Sequence, residues 1–353
     1  MDALLRIDLW DVGQGDSSVL RLPSGRMIII DVGPKGSPLV DWLNERRGSS
    51  PEIEAIVLTH NHADHAGALP SIIAEHKRRI GGIWMLLDRA ATEPRFQKVF
   101  RAAEQGEKEG FYRIRQLADG QVLWTSDNGV HHLRVIHPGF SEHTNALIAG
   151  QPNAASGMIV LGSNQRRLFA WTGDLEIRKV AQKLEDRTPW MLFGPHHGGP
   201  SDYPTKALRK RQPPETMQHR RQEVRAAVAS IKPARAFISV GTKNRYHHPR
   251  PGYLQLLANT GARVVCSELT NCCEREDVSN GKHVFQGSAL LGLRPSRTGV
   301  SCRGSMRLCL KDGELLVDAF DAEHLQRVSR LLRPQCLRGR GWRRGEPIPA
   351  FRG

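Results

Sequence analysis

Thr59-His60-Asn61-His62-Ala63-Asp64-His65-Ala66-Gly67 follows a mostly apolar run, Ile53 to Thr59, and opens a segment of helical spacing from Ala68 to Glu75. At an extended strand end, side chains two apart point the same way, so His60 and His62 can grip one metal ion together. Asp64 and His65, in the first helical turn, can face a neighbouring ion. Imidazoles mixed with a carboxylate suit Zn²⁺, Mn²⁺ or Fe²⁺, whereas Ca²⁺ sites are rich in oxygen.

Two later stretches have the same form. Trp171-Thr172-Gly173-Asp174 is an apolar strand ending in a carboxylate, and Phe193-Gly194-Pro195-His196-His197-Gly198-Gly199 is a strand running into paired imidazoles. Asp174 is placed to bridge two ions, and one of the adjacent histidines to complete the ligand set of the second ion.

Around these motifs the chain alternates. Leu4–Trp10, Ser17–Leu22 and Arg26–Asp31 read as a β meander, Ser37–Arg47 as a helix and Gly82–Leu87 as a strand. Pro94–Glu109 reads as a helix, and Val122–Thr125, His132–Ile136, Gly157–Leu161 and Arg167–Trp171 as strands. A helix after Asp174, a strand Trp190–Phe193, a helix in 217–231 and a strand Ala236–Val240 follow, while residues 140–156 read as a polar loop. Strands followed by helices, twice over, predict an α/β (α+β) fold of two packed sheets with helices outside. Beyond Gly261 the pattern weakens. We therefore expect a two-sheet domain over 1–260, a cysteine-containing appendage over 261–335 and a basic tail over 336–353.

The 353 residues carry a formal charge of +15, unevenly placed. Lys206 to Arg250 holds 12 Lys or Arg against 2 Glu, and Arg327 to Gly353 holds 8 Arg against 1 Glu, leaving the remainder near -2. A local basic excess suits a polyanion, since phosphate neutralisation releases counterions. The first stretch lies between the His196-His197 motif and His248, so its charge is expected at the mouth of the metal cleft. Nothing in the chain approaches the ~18 apolar residues of a membrane span, and the first residues lack a secretory signal pattern. A cytosolic protein without membrane contact is expected. All six cysteines lie in the last quarter without a C-x2-C pair, which favours free thiols over a structural zinc site.

The His60-x-His62-x-Asp64-His65 signature, Thr172-Gly173-Asp174 and His196-His197-Gly198 resemble the metallo-β-lactamase superfamily. Asp11-Val12-Gly13-Gln14-Gly15-Asp16-Ser17, Asp31-Val32-Gly33, Asn153-x-x-Ser156 and Ser239-Val240-Gly241-x-x-Asn244-x-Tyr246-x-His248-Pro249 resemble, more closely, the C-terminal hydrolase domain of the ComEC/Rec2 DNA-uptake proteins. The likeness runs from about residue 5 to 265 and implies an αββα sandwich with two divalent ions, Zn or Mn. By that resemblance His60 and His62 hold one ion, Asp64 and His65 the other, Asp174 bridges, and His197 completes the second. It leaves open which of His196 and His197 is the ligand, and offers His137 as the first ion's third histidine.

The chemistry so implied is phosphodiester hydrolysis by hydroxide generated between ions about 3.5 to 4 Å apart. Asp64, His196 and His248 are the catalytic candidates: Asp64 to accept a proton, the histidines to donate to the phosphate or leaving group. Lys243, Asn244, Arg245 and Tyr246 are the candidate substrate-binding residues. Asp16 and Asp31 are expected to hold the backbone amides of their Gly-rich turns as outer supports. The reading is a soluble metal-dependent nuclease, with DNA favoured over RNA and a controlling protein partner left open. Its competitors are a phosphodiesterase for a cyclic nucleotide or phosphocholine ester, and a non-enzymatic nucleic-acid-binding module.

Overall fold

The computed structural model describes residues 5–46, 52–87, 94–163, 166–185, 187–202, 213–273, 288, 291–297, 299–331 and 333–338. The N-terminal half builds one sheet from β1 (Leu5–Leu9), β2 (Ser17–Arg21), β3 (Met27–Val32), β4 (Ile53–Val57), β5 (Gly82–Met85) and β6 (Arg113–Gln116). The second sheet takes β7 (Val122–Thr125), β8 (His132–His137), β9 (Met158–Gly162), β10 (Arg167–Trp171), β11 (Pro189–Phe193), β12 (Arg235–Ile238) and β13 (Arg263–Cys266). Then β14 (Met306–Lys311) and β15 (Glu314–Val317) return to the first sheet, giving the orders β15-β14-β1-β2-β3-β4-β5-β6 and β13-β12-β11-β10-β9-β8-β7.

Alternation along the strands sorts side chains between two cores. In β3, Ile28 and Ile30 point between the sheets, where they join Ala55 and Val57 from β4 and Phe169, Trp171, Met191 and Phe193 from the opposite sheet. Met27, Ile29 and Val32 point the other way, against helices α1 (Pro38–Glu45), α3 (Leu69–His76) and α4 (Pro94–Lys108), which contribute Leu39, Trp42, Leu69, Ile72 and Val99. The short α2 (Ala63–Ala66) stands between α1 and α3, and α5 (Phe140–Ile148) follows β8. The second sheet's outer face is covered by α6 (Ile177–Leu184), α7 (Pro214–Ile231) and α8 (Pro251–Asn259) through Val180, Val224, Val228, Leu254 and Leu257. Four layers result, helix, sheet, sheet, helix.

Three expectations change. Residues 140–156, read as a loop, hold α5 and a 3-10 turn at Pro152–Ala155. The Gly139 amide donates to the Glu142 carboxylate at 2.9 Å, capping a helix whose Ser, Thr and Asn residues disguise it. Residues 261–335, read as an appendage, supply strands to both sheets. β13 extends the parallel run β10-β11-β12, and β14 pairs antiparallel with β1, with Leu5 opposite Leu310. β1 thereby avoids being an unpaired edge, and its partner lies 300 residues away in sequence, too far for local patterning to reveal. The expected split of 1–260 from the following segment therefore does not describe how the strands are shared. Arg113–Gln116 and Pro251–Asn259 are an additional strand and helix. The six cysteines are free, with Cys266, Cys302 and Cys336 buried in the apolar core beside α8. Most of the basic tail lies outside the described residues.

Candidate metal centre

β3 to β6 run parallel, as do β10 to β13. The candidate residues follow the carboxyl ends of these strands, where an open α/β sheet presents ligand-binding loops. His60 follows β4, Asp174 follows β10, His196 and His197 follow β11, and Ser239 to His248 follow β12.

Asp174 is the centre of the constellation. Its Oδ2 lies 3.4 Å from His60 Nε2, 4.0 Å from His62 Nδ1 and 3.4 Å from His196 Nε2. Its Oδ1 lies 3.2 Å from His65 Nε2 and 3.8 Å from His197 Nε2, and His197 Nε2 is 3.2 Å from Asp64 Oδ2. One carboxylate thus divides the donors into two sets.

The other ring nitrogens are braced from behind. His65 Nδ1 meets Asp31 Oδ2 at 2.8 Å, and the same aspartate accepts from the Thr59 amide and hydroxyl. His197 Nδ1 meets the Ser239 carbonyl at 3.0 Å and Asp16 Oδ1 at 3.1 Å. His60 Nδ1 meets the Thr59 and Ser156 hydroxyls, both at 3.2 Å. With Nδ1 engaged, each ring turns Nε2 inward. His60, His65 and His197 are almost fully buried, yet their Nε2 atoms and Asp174 Oδ1 make no hydrogen bond. Buried polar atoms left unmade cost about 1–3 kcal/mol each, so convergent orphans mark a place for cations. The donor set fits divalent transition metals, which accept imidazole and carboxylate together.

Asp16 also lies close enough to join His65 and His197 around an ion. Its short contact, however, is with a bracing nitrogen, as is that of Asp31. Both aspartates were expected to hold Gly-rich turns; they hold histidine rings instead. A carboxylate that fixes the ring of a metal-binding histidine in this way is worth roughly 10–100-fold in metal affinity. Asp31→Asn should weaken metal binding by about that factor in a chelator competition titration, and unchanged affinity would remove Asp31 from the site's support.

Backbone conformation also serves the site. Asp31, His196 and His197 all adopt positive φ, between 50° and 53°, an uncommon state for residues with a Cβ and typical of functional strain. Gly173, at φ 47°, precedes Asp174, and a Cβ there would lie 2.2 Å from Ser156 Oγ, which also accepts from the Asp174 amide.

Charge follows geometry. Burial raises the Asp174 carboxyl, but His65, His60 and His196 outweigh it and hold Asp174 well below the usual carboxylate range. Burial lowers His65 and His197, but their carboxylate neighbours dominate and raise both well above an ordinary histidine. His62 is pushed down to about 4 by burial and then by His60, and stays neutral. Burial, with His196, His197 and Arg250, pushes His248 down to about 3. A neutral His248 can donate a hydrogen bond but is no reservoir of an acidic proton, contrary to one role expected for it.

Two further expectations are corrected. The His137 ring lies outside both donor sets, with Nδ1 2.8 Å from the Ser156 carbonyl and Nε2 3.5 Å from Glu142, behind the serine that braces His60. Asn244 is used up within its own loop. Its amide nitrogen donates to the Gly241 and His248 carbonyls at 2.6 and 2.9 Å, while its oxygen accepts from the His248 amide at 2.8 Å. Asn244 shapes the loop that presents Tyr246 and His248.

A cleft of about 1100 Å³ opens over the centre, lined by Asp64, Asp174, His196, His197 and His248 at its floor and by Lys35, Lys98, Arg245, Tyr246 and Arg250 at its walls. Lys243, expected on the substrate, does not line it. From the basic stretch, Arg245 and Arg250 reach the mouth as expected, whereas Arg221 and Arg225 line a separate depression on α7. Residues 206–212 of that stretch lie outside the described residues. Lys35 and Lys98 add charge that the sequence had not located.

Residues 10–150 match the Metallo-beta-lactamase superfamily. With its two sheets between helices and its His/Asp donor sets, the chain carries a metallo-beta-lactamase superfamily domain, a class of generally metal-dependent hydrolases. Among individual proteins it is similar to ComE operon protein 3 of Bacillus subtilis, with 25% identity over 278 residues, covering 73% of this chain and 31% of that protein. It is also similar to hydroxyacylglutathione hydrolase of Idiomarina loihiensis, with 26% identity over 125 residues, covering 35% of this chain and 43% of that protein. The chain thus spans less than half the length of either relative. Among solved structures, the metallo-beta-lactamase fold protein YhfI of Bacillus subtilis aligns over 74% of this chain and 96% of its own, with 11% identity and a TM-score of 0.40. Among the described residues no helix is long and apolar enough to cross a membrane.

Proposed function

We propose that this chain is a metal-dependent phosphodiesterase acting on nucleic acid, DNA in preference to RNA, through two divalent ions, Zn or Mn, shared about Asp174. The observation that carries the reading is the coincidence of two things. Buried imidazole nitrogens that make no hydrogen bond converge on one carboxylate, and they do so in a cleft also lined by Lys35, Lys98, Arg245 and Arg250. Several cations lining one cleft suit a phosphate backbone. The similarity to ComE operon protein 3 supports the same direction.

His60, His62 and His196 would hold one ion, and Asp64, His65 and His197 the other. Divalent ions so held supply hydroxide at neutral pH and stabilise charge growing on a phosphate. Asp64 is kept ionised, burial being outweighed by its His197 and His65 contacts. That depressed basicity suits it to holding a cation better than to accepting a proton. His248, packed against Gly199 and edge-on to His196 at 5.0 Å, donates a hydrogen bond toward the substrate phosphate.

Because His248 stays neutral, His248→Ala, which removes the donor, should lower kcat by roughly 10–100-fold, the worth of one hydrogen bond to a charged group, by the same factor at pH 5 and pH 8. A factor that changes across that interval would restore His248 as a titrating acid. The function is tested with purified protein, Mn²⁺ or Zn²⁺, and plasmid, linear and single-stranded DNA, RNA and bis-p-nitrophenyl phosphate. Metal-dependent cleavage of DNA is expected, and hydrolysis of the small ester alone would overturn the nucleic-acid reading.

A further inference from the structure

We infer that Tyr246, braced by Arg245, is a base-stacking platform that makes the cleft select single-stranded over duplex nucleic acid. The inference rests on the nucleic-acid reading above and adds the strand class. Tyr246 is 46% exposed, and among the described residues it is the one large exposed apolar side chain that lines the cleft. Apolar surface left in water beside a catalytic floor calls for an occupant with an apolar face.

The ring is held ready for one. The Arg245 guanidinium lies 5.1 Å from the ring centroid and donates to the Tyr246 hydroxyl at 3.0 Å. The His248 ring stands 5.9 Å away, and Asn244 ties the whole loop to Gly241 and His248. A rigid aromatic surface loses little freedom on binding, which is how stacking platforms gain affinity.

Position decides what it meets. From Tyr246 the path to the floor runs through His248, then His196 at 5.0 Å, then Asp174 at 3.4 Å. A phosphate seated at that floor leaves a neighbouring base beside Tyr246. Lys35, Lys98 and Arg250 have no ion pair with a carboxylate among the described residues and are left to the backbone. In a duplex each base already stacks on its neighbours within its own strand, so an aromatic wall is reached by a single strand or by a flipped base. Cationic walls alone would not distinguish strands.

The test uses the metal-loaded full chain and three cleavage-resistant phosphorothioate ligands of equal length: a single strand, the same strand without bases, and a blunt duplex. Fluorescence anisotropy should show the base-bearing strand bound about 5- to 150-fold more tightly than the abasic one, the range of one aromatic stack. Tyr246→Ala should erase most of that ratio and Tyr246→Phe should keep it; because the ratio is internal to each variant, a general loss of folding does not imitate the result. A ratio unchanged by Tyr246→Ala, or a duplex bound as tightly as the single strand, would overturn the platform while leaving nucleic acid as substrate. If no strand binds while bis-p-nitrophenyl phosphate is still hydrolysed, the nucleic-acid reading fails and the platform with it.

Discussion

Asp174→Asn should lower kcat/KM for bis-p-nitrophenyl phosphate by about 10³-fold, the upper scale for removing one preorganised charged group from an active site. The side chain keeps its shape, but one of its two oxygens becomes an amide nitrogen that cannot ligate. Oδ2 faces His60, His62 and His196, and Oδ1 faces His65 and His197, so whichever orientation the amide takes, one set loses its anionic donor. Metal content measured by mass spectrometry should fall alongside activity. A variant with full metal content and a rate within a few fold of wild type would show that Asp174 does not join the two sets.

The second large effect couples metal to pH. In the metal-free chain, His65 and His197 bind protons more tightly than an unfolded histidine, held by Asp31, Asp174, Asp16 and Asp64. A raised folded pKa contributes stability that is fully present below about 6.5, the unfolded value, and is lost as pH rises through the folded one. Metal binding must displace the same protons, so affinity increases as pH rises. The two trends act together. Ligand at 1,000 times its Kd stabilises by about 4 kcal/mol, and the rise in Tm on adding Zn²⁺ should be distinctly larger at pH 8 than at pH 6. An equal or smaller rise at pH 8 would contradict the assignment of His65 and His197 as charged, metal-displaceable groups. Proton release on titration in buffers of different ionisation enthalpy gives an independent reading.

Much of the centre was legible along the chain because the donors stand close in sequence to strand ends. His60 and His62, two apart, do reach the same oxygen of Asp174, and the Trp171-Thr172-Gly173-Asp174 pattern does deliver a buried carboxylate. Relationships that depend on the third dimension were not. His137 sits at the right chain position for a ligand, but the Ser156 carbonyl and Glu142 hold its ring outside both sets. Asn244 carries groups suited to a phosphate, but its amide nitrogen and oxygen are both engaged within its loop. Asp16 and Asp31 look like turn residues, and only the packing of β3 and the Gly13–Asp16 turn against α2 puts them behind histidine rings. There Gly15 is required, since a Cβ would lie 2.3 Å from the Asp64 carbonyl. The return of β14 to β1 depends on pairing across nearly the whole chain. Charge was half legible: Arg245 and Arg250 reach the cleft, but Lys35 and Lys98 line it from outside the two basic stretches.

Anomalous diffraction from crystals grown with Mn²⁺ tests the central claim most directly. The account predicts two peaks flanking the Asp174 carboxylate, one among His60, His62 and His196 and the other among Asp64, His65 and His197. A single peak, or peaks bound through Asp16 or His137 and away from Asp174, would contradict it.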